Sequence, residues 1–170
     1  AIVEGVRIVE DDPNDMTVGL GGLPNEDGIV QLDASVMHGP THKAGAVACI
    51  EDIKNPAAVA LEVLRRTDHA LIVGEGAKRF ALRMGFKEEN LLTDRAREAW
   101  LRWKRNNTKR DDWLGDDELD WQFNDEGHGS HVANAERARS ASEGAFDFTT
   151  GTIHCSAVNA AADISACTTT

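Results

Sequence analysis

The sequence predicts a mixed α/β domain. Three observations carry that prediction. Helix-period apolar stripes alternate with short strand-like apolar runs, glycine and proline punctuate the joins, and 170 residues at 41% hydrophobic content suffice for one core. The chain opens with "AIVEGVRIVEDDPND", where Ile2, Val3, Val6 and Val9 make a helical stripe with no capping residue in front. That pattern reads as the end of a helix begun earlier. "DDPNDMTVGLGGLPNEDG" is turn-rich, and "IVQLDASVM" and "AGAVACI" then read as strands joined by "HGPTHK". Asn55 before Pro56 marks a helix start, because asparagine caps free amides and proline fits the first helical position. The helix continues through "AAVALEVLRR", followed by a short buried strand at "HALIV" and a helix at "GEGAKRFALRMGF" closed near Gly85. A further amphipathic helix is expected over "TDRAREAWLRWKR", capped by Thr93 or Asp94. Residues 106–150 lack sustained periodicity and read as a long linker. Beyond it, "TIHCSAV" and "DISACTTT" are two strands joined by a turn at "NAAAD".

Charge excludes one large class of function. A net charge of −11 argues against a nucleic-acid partner, which demands a basic surface to displace counterions. No segment holds an apolar run of membrane length, so no membrane partner is expected. Cys49, Cys155 and Cys167 lack CxxC spacing, and each sits in an apolar strand-like run, which predicts buried thiols. No signal peptide is visible at the start.

Several motifs invite a function and are better read as structure. "LIVGEGAKRF" places a glycine pair between a strand and a helix, but Arg79 stands where a dinucleotide fingerprint wants its third glycine. A tight strand-to-helix turn is the expectation. His128 and His131 in "GHGSH" could chelate a metal, yet they lie in the linker, where a rigid ligand shell is not expected. Hence no metal is assigned. The carboxylates of "EDDPND" follow a helix end and precede turns, where Asp and Asn bond the local backbone. Trp113 and Trp121 could dock on a partner or pack over an edge.

Gly151-Thr152 is different in kind. Threonine is a weak nucleophile unless a base takes its proton, and an N-terminal threonine carries one, its α-amino group of pKa about 8. Such a residue must first be freed by cutting the bond before it. Gly151 would ease that cut by allowing strained backbone angles, and the long linker upstream would let the new end move aside. By strand alternation Thr152, His154 and Ser156 share one face, with Ile153, Cys155 and Ala157 on the other. An antiparallel return ending in Thr168, Thr169 and Thr170 brings hydroxyls back beside Thr152.

Taken with "VEGVRIVEDDPNDMTVGLGGLPNEDGIVQLDASVM", "AGAVACIEDIKNP" and "HALIVGEGAKRFALRMGFKEENLLT", these residues make the chain resemble the glycosylasparaginases (aspartylglucosaminidases) of the N-terminal-nucleophile hydrolase superfamily. The resemblance implies a four-layer αββα sandwich, here truncated at both ends. It also implies a precursor that cuts itself at Gly151–Thr152. Residues 1–151 would belong to the α chain, with 106–150 as the linker, and residues 152–170 would begin the β chain of the same domain. Thr152 then falls at the nucleophile, Thr170 at a hydroxyl that supports the nucleophile and its amine, and Thr17 at the wall of the active site. In the family a strand with an aromatic pocket residue precedes this stretch. An "RVGD"-like substrate-binding segment and a "TG" oxyanion pair follow it.

Departures from the family pattern are Gly151 in place of a common aspartate, His38 in place of another, and Ala162 where glycine is usual in the turn. The expected activity is hydrolysis of the side-chain amide of N-acetylglucosaminyl-asparagine, with free asparagine secondary, no cofactor and no metal. An asparaginase or isoaspartyl peptidase of the same superfamily is the alternative, and a truncated non-catalytic fragment is a further one. The resemblance implies a dimer of αβ units, periplasmic or cytoplasmic in a bacterium and lysosomal in a eukaryote.

Overall fold

The computed structural model describes residues 1–106 and 151–170. In chain order they form α1 (Ile2–Glu10), β1 (Gln31–His38), a 3-10 turn at Gly39–Thr41, β2 (Lys43–Glu51), α2 (Pro56–Arg66), β3 (Leu71–Val73), α3 (Gly74–Arg83), α4 (Asp94–Asn106), β4 (Ile153–Val158) and β5 (Ile164–Thr169). The chain divides into two compact units, residues 1–100 with 149–170, and residues 101–148. Of the second unit only the last turns of α4 are described, with the Lys104 ammonium 5.9 Å from the centroid of the Trp103 ring. The expectations for His128, His131, Trp113, Trp121 and the linker lie outside the described residues.

In the first unit five strands make one mixed sheet in the order β3-β2-β1-β5-β4. Only the β2–β3 pair is parallel; the others are antiparallel. The parallel connection follows from α2, which returns the chain before β3 begins. One face of the sheet is covered by helices: Leu32, Val36, Val47 and Ile50 join Val6 of α1, Val63 of α2 and Ala81 of α3 in a single buried cluster. Each such Val, Leu or Ile contributes about 1.5–3 kcal/mol on burial. Gly45 is what lets α2 lie directly on β2, because a Cβ there would come within 2.4 Å of both the Ala60 carbonyl oxygen and the Leu64 amide nitrogen. The described residues leave the other face open. Met37, Leu71, Val73, Val158 and Ile164 are each at least half exposed there.

Three expectations need correction. Cys49 is exposed, while Cys155 is half-buried and only Cys167 is buried. A bulge is the cause: Leu32 pairs with Ile50 but Ala34 with Val47, so β2 carries one extra residue, and Cys49 leaves the alternation with φ +49°. The strand in "HALIV" is not buried either; Leu71 and Val73 are about half exposed because β3 is the sheet edge and they point to the open face. Finally, the Asn55 side chain caps nothing at α2. It donates instead to Glu10 and Asp11, and the Glu10 carboxylate takes the helix amide of Ala57.

Other local readings agree with the structure. Thr93 Oγ1 accepts from the Ala96 amide at the start of α4, and Gly85 follows α3 with φ +91°. The glycine pair of "LIVGEG" is a direct passage from β3 into α3.

Candidate active site

The two hydroxyl clusters meet at the end of the β4–β5 pair. Ile153 is opposite Thr169, His154 opposite Thr168 and Cys155 opposite Cys167. Continuing that register by one step sets Thr152 across from Thr170. Ile153 and Cys155 pack against the core cluster, so alternation turns Thr152 and His154 to the open face. Thr168 and Thr170 share that face, since Cys167 and Thr169 point into the core. His154 Nδ1 lies 2.8 Å from Thr168 Oγ1, a hydrogen bond that ties the two strands together. Thr152 itself is exposed, and Thr170 is half-buried.

Thr170 is anchored from the other side by its amide, which donates to the Asp33 carbonyl at 3.0 Å. Asp33, Ser35, Ala46, Thr168 and Thr170 line an open groove of about 220 Å3 on the same sheet face. Thr152 and Thr17 are not among its lining residues. The side-chain oxygen Oδ1 of Asp33 accepts from the Cys49 amide at 2.7 Å, so the carboxylate holds the bulge in place.

Thr17 reaches the site from the turn after α1. Its hydroxyl donates to Asp15 Oδ1 at 2.6 Å and its amide to the same oxygen at 2.8 Å, which fixes both backbone and side chain. The Thr17 side chain lies against Gly151: a Cβ at position 151 would fall 2.9 Å from Thr17 Cβ and 3.1 Å from Thr17 Oγ1. Close packing therefore adds a second demand for glycine before Thr152, independent of backbone freedom. Thr17 abuts the residue before Thr152, while Thr170 directly follows β5, one step beyond the Ile153–Thr169 pair.

Sequence reasoning missed Glu10. Among the described residues it is the charged member of the core, fully buried. Its Oε1 accepts from Thr169 Oγ1 at 2.7 Å and from the Ala57 amide at 3.1 Å, and its Oε2 accepts from Asn55 Nδ2 at 3.3 Å. Burial pushes its pKa up from the ordinary glutamate value, although the bonds from Thr169, Ala57 and Asn55 pull the other way. A signal was present: Val3, Val6 and position 10 follow one helical stripe, so Glu10 continues the apolar face. The neighbouring acids do behave locally as expected. Asp12 accepts from Asn14, and Asp15 from Thr17.

Chemically the site offers the hydroxyls of Thr17, Thr152, Thr168 and Thr170, with His154, Asp15 and Asp33 as their ionisable neighbours. Burial raises the Cys167 thiol to about 11, with the charges of Glu10 and Cys155 adding to the effect, so it is no thiolate at neutral pH. Among the described residues no group of His, Cys, Asp and Glu is arranged to hold a metal ion. None of the described helices is long and apolar enough to cross a membrane.

Comparison with known proteins yields one family. A family model described as "Asparaginase" matches residues 1–170. An N(4)-(β-N-acetylglucosaminyl)-L-asparaginase from Elizabethkingia miricola is 45% identical over 131 residues, covering 73% of this chain and 38% of that protein. A plant-type L-asparaginase from Pyrococcus horikoshii is 46% identical over 100 residues, covering 59% of this chain and 32% of its own. Another plant-type L-asparaginase, from Pyrococcus abyssi, is 45% identical over 100 residues with the same two shares. The chain thus spans between about a third and two fifths of the length of these relatives.

Proposed function

This chain belongs to the asparaginase family, and we propose on that footing that it carries the nucleophile of an amidohydrolase acting on the side-chain amide of asparagine derivatives. N-acetylglucosaminyl-asparagine is the first substrate, in keeping with the name of the Elizabethkingia relative. Before it can act, the precursor cuts itself between Gly151 and Thr152. The observation that carries this reading is at one strand end: Thr17 packs against Gly151, and the β4–β5 register ends at Ile153–Thr169, the pair adjacent in the chain to Thr152 and Thr170.

In the self-cleavage step the Thr152 hydroxyl attacks the Gly151 carbonyl carbon. The peptide C–N bond breaks, its nitrogen takes the hydroxyl proton, and water then hydrolyses the resulting ester to free Thr152. The new α-amino group, with a pKa near 8, becomes the base. It accepts the Thr152 hydroxyl proton as Oγ attacks the side-chain carbonyl of the substrate, and delivers that proton to the departing amine. A β-aspartyl ester remains on Thr152. Water, deprotonated by the same amine, releases aspartate and restores the hydroxyl. Thr170 donates to or accepts from the threonine and its amine, and Thr17 shapes the wall on the other side.

The residues that grip the substrate's α-carboxylate and α-amine and form the oxyanion hole belong to the remainder of the protein, in this reading. So does a second sheet that covers the open face with its exposed Met37, Leu71 and Val73 and completes an αββα sandwich of α and β chains, paired as a dimer. A second substrate reading has its own support. Two plant-type L-asparaginases match at 46% and 45% identity, each over 100 residues.

Mass spectrometry of the full-length protein tests the nucleophile. The parent should yield a fragment beginning at Thr152. Thr152→Ala should remain uncut and inactive, whereas Thr152→Ser, which keeps the hydroxyl but loses the methyl that restricts its rotation, should be cut slowly and turn over slowly. Release of aspartate by the alanine variant would reject the mechanism. Relative kcat/KM on N-acetylglucosaminyl-asparagine, asparagine and a β-aspartyl dipeptide decides between the substrates.

A further inference from the structure

We propose that Glu10 is a positioning residue for the Thr152–Thr170 pair, acting through Thr169. The inference rests on the threonine-nucleophile reading above. Thr169 sits between Thr168 and Thr170 but faces the opposite way, into the core, where it is 1% exposed. Its register partners are Ile153, next to Thr152, and Ala34 of β1. Any shift of Thr169 therefore moves the residues on both sides of the proposed reaction centre.

A threonine at such a position is costly without a partner, since a buried hydroxyl loses its bonds to water. Glu10 is that partner, at 2.7 Å. The Asp33 carbonyl, at 3.5 Å, is the weaker alternative. The same carboxylate oxygen takes the Ala57 amide at the start of α2, and the second oxygen takes Asn55. Glu10 is fixed in turn by its own backbone, whose carbonyl accepts the Leu20 amide in the turn that carries Thr17. One side chain thus links the end of α1, the start of α2 and the last turn of the strand that presents Thr170.

An apolar residue pair would fill this space and hold the layers together, but dispersion contacts have no preferred direction along a strand. A charge-assisted hydrogen bond does. It sets the rotation and axial position of Thr169, and through the alternation of the strand those of Thr170. Thr170 has a second restraint in its amide bond to Asp33, so the strand end is held from the core side and from β1 together. Misplacement by about 1 Å can cost on the order of 100-fold in rate, which is why a positional clamp matters to chemistry.

The test uses the full-length protein and its self-cleavage rate, kcat and KM on N-acetylglucosaminyl-asparagine. Thr169→Val keeps the shape and removes the donor. It should slow self-cleavage and lower kcat by on the order of 100-fold with KM little changed, whereas Thr169→Ser, which restores the hydroxyl, should recover most of both. Glu10→Ala combined with Thr169→Val should be no slower than Thr169→Val alone, the mark of two residues acting as one unit. Parental rates for Thr169→Val, or losses that multiply in the double variant, overturn the proposal. If Glu10→Ala fails to fold, the valine and serine variants still decide. A parent that stays uncut and inactive rejects the nucleophile reading itself; a parent that is cut and active beside an equally active Thr169→Val rejects only the role of Glu10.

Discussion

Replacing Glu10 separates what its charge does for folding from what its hydrogen bonds do. Glu10→Ala strands two donors. The Ala57 amide at the start of α2 loses its acceptor in a fully buried position, and the Thr169 hydroxyl falls back on the distant Asp33 carbonyl. Asn55 is less affected, because its amide nitrogen still donates to Asp11 at 2.9 Å. Two buried donors at about 1–3 kcal/mol each, with the lost packing of the side chain, place the destabilisation at about 3–5 kcal/mol. Glu10→Gln retains an oxygen for Thr169 and Ala57 and gives up only the longer Asn55 contact, so its cost should stay near 1 kcal/mol. The pH dependence then identifies the charge. Burial raises the folded pKa of Glu10 above the ordinary glutamate value of 4.5. Between 4.5 and that raised value the unfolded chain has released the proton and the folded one keeps it. Stability therefore falls as pH rises through this window, by up to about 1.4 kcal/mol per unit, and the penalty persists above it. Glutamine does not titrate. Denaturant unfolding from pH 4 to 8, run in a Thr152→Ala background so that cleavage does not alter the chain, should show the Gln variant gaining on its parent as pH rises. A difference that stays flat over that range, or a gain as pH falls, would refute the reasoning.

Two further outcomes follow from packing and exposure. Gly45→Ala should cost at least about 2–3 kcal/mol in denaturant unfolding, because its Cβ meets the α2 backbone and not a movable side-chain tip. At pH 8, alkylation followed by peptide mapping should label exposed Cys49 first and leave Cys167 unmodified, since its thiol is buried and raised to about 11.

Much of the fold was legible because its signals are local. Apolar spacing at 3, 6 and 9 marks a helix, Thr93 caps its own neighbours, and Gly85 closes its own helix, so each can be read without the rest of the chain. Failures came where a distant partner intervenes. Asn55 has the right residue type and the right position for a cap, yet Glu10, 47 residues before Ala57, occupies the helix end and turns Asn55 aside. Cys49 alternates correctly on paper, but the bulge opposite Asp33 turns it outward.

The candidate site divides the same way. By itself the sequence determined that Thr152 follows glycine at a strand start, that alternation puts Thr152, His154 and Ser156 on one face, and that the returning strand ends in hydroxyls. Those properties depend on the two-residue period of a strand and on antiparallel return, which are short-range. Only the tertiary structure decided that the turn after α1 brings Thr17 against Gly151, and that the end of α1 buries a carboxylate beneath Thr169. Both contacts join segments more than 130 residues apart. What selects them is the packing of helix on sheet, where a side chain's partner is set by which faces meet and not by which residues are adjacent in the chain.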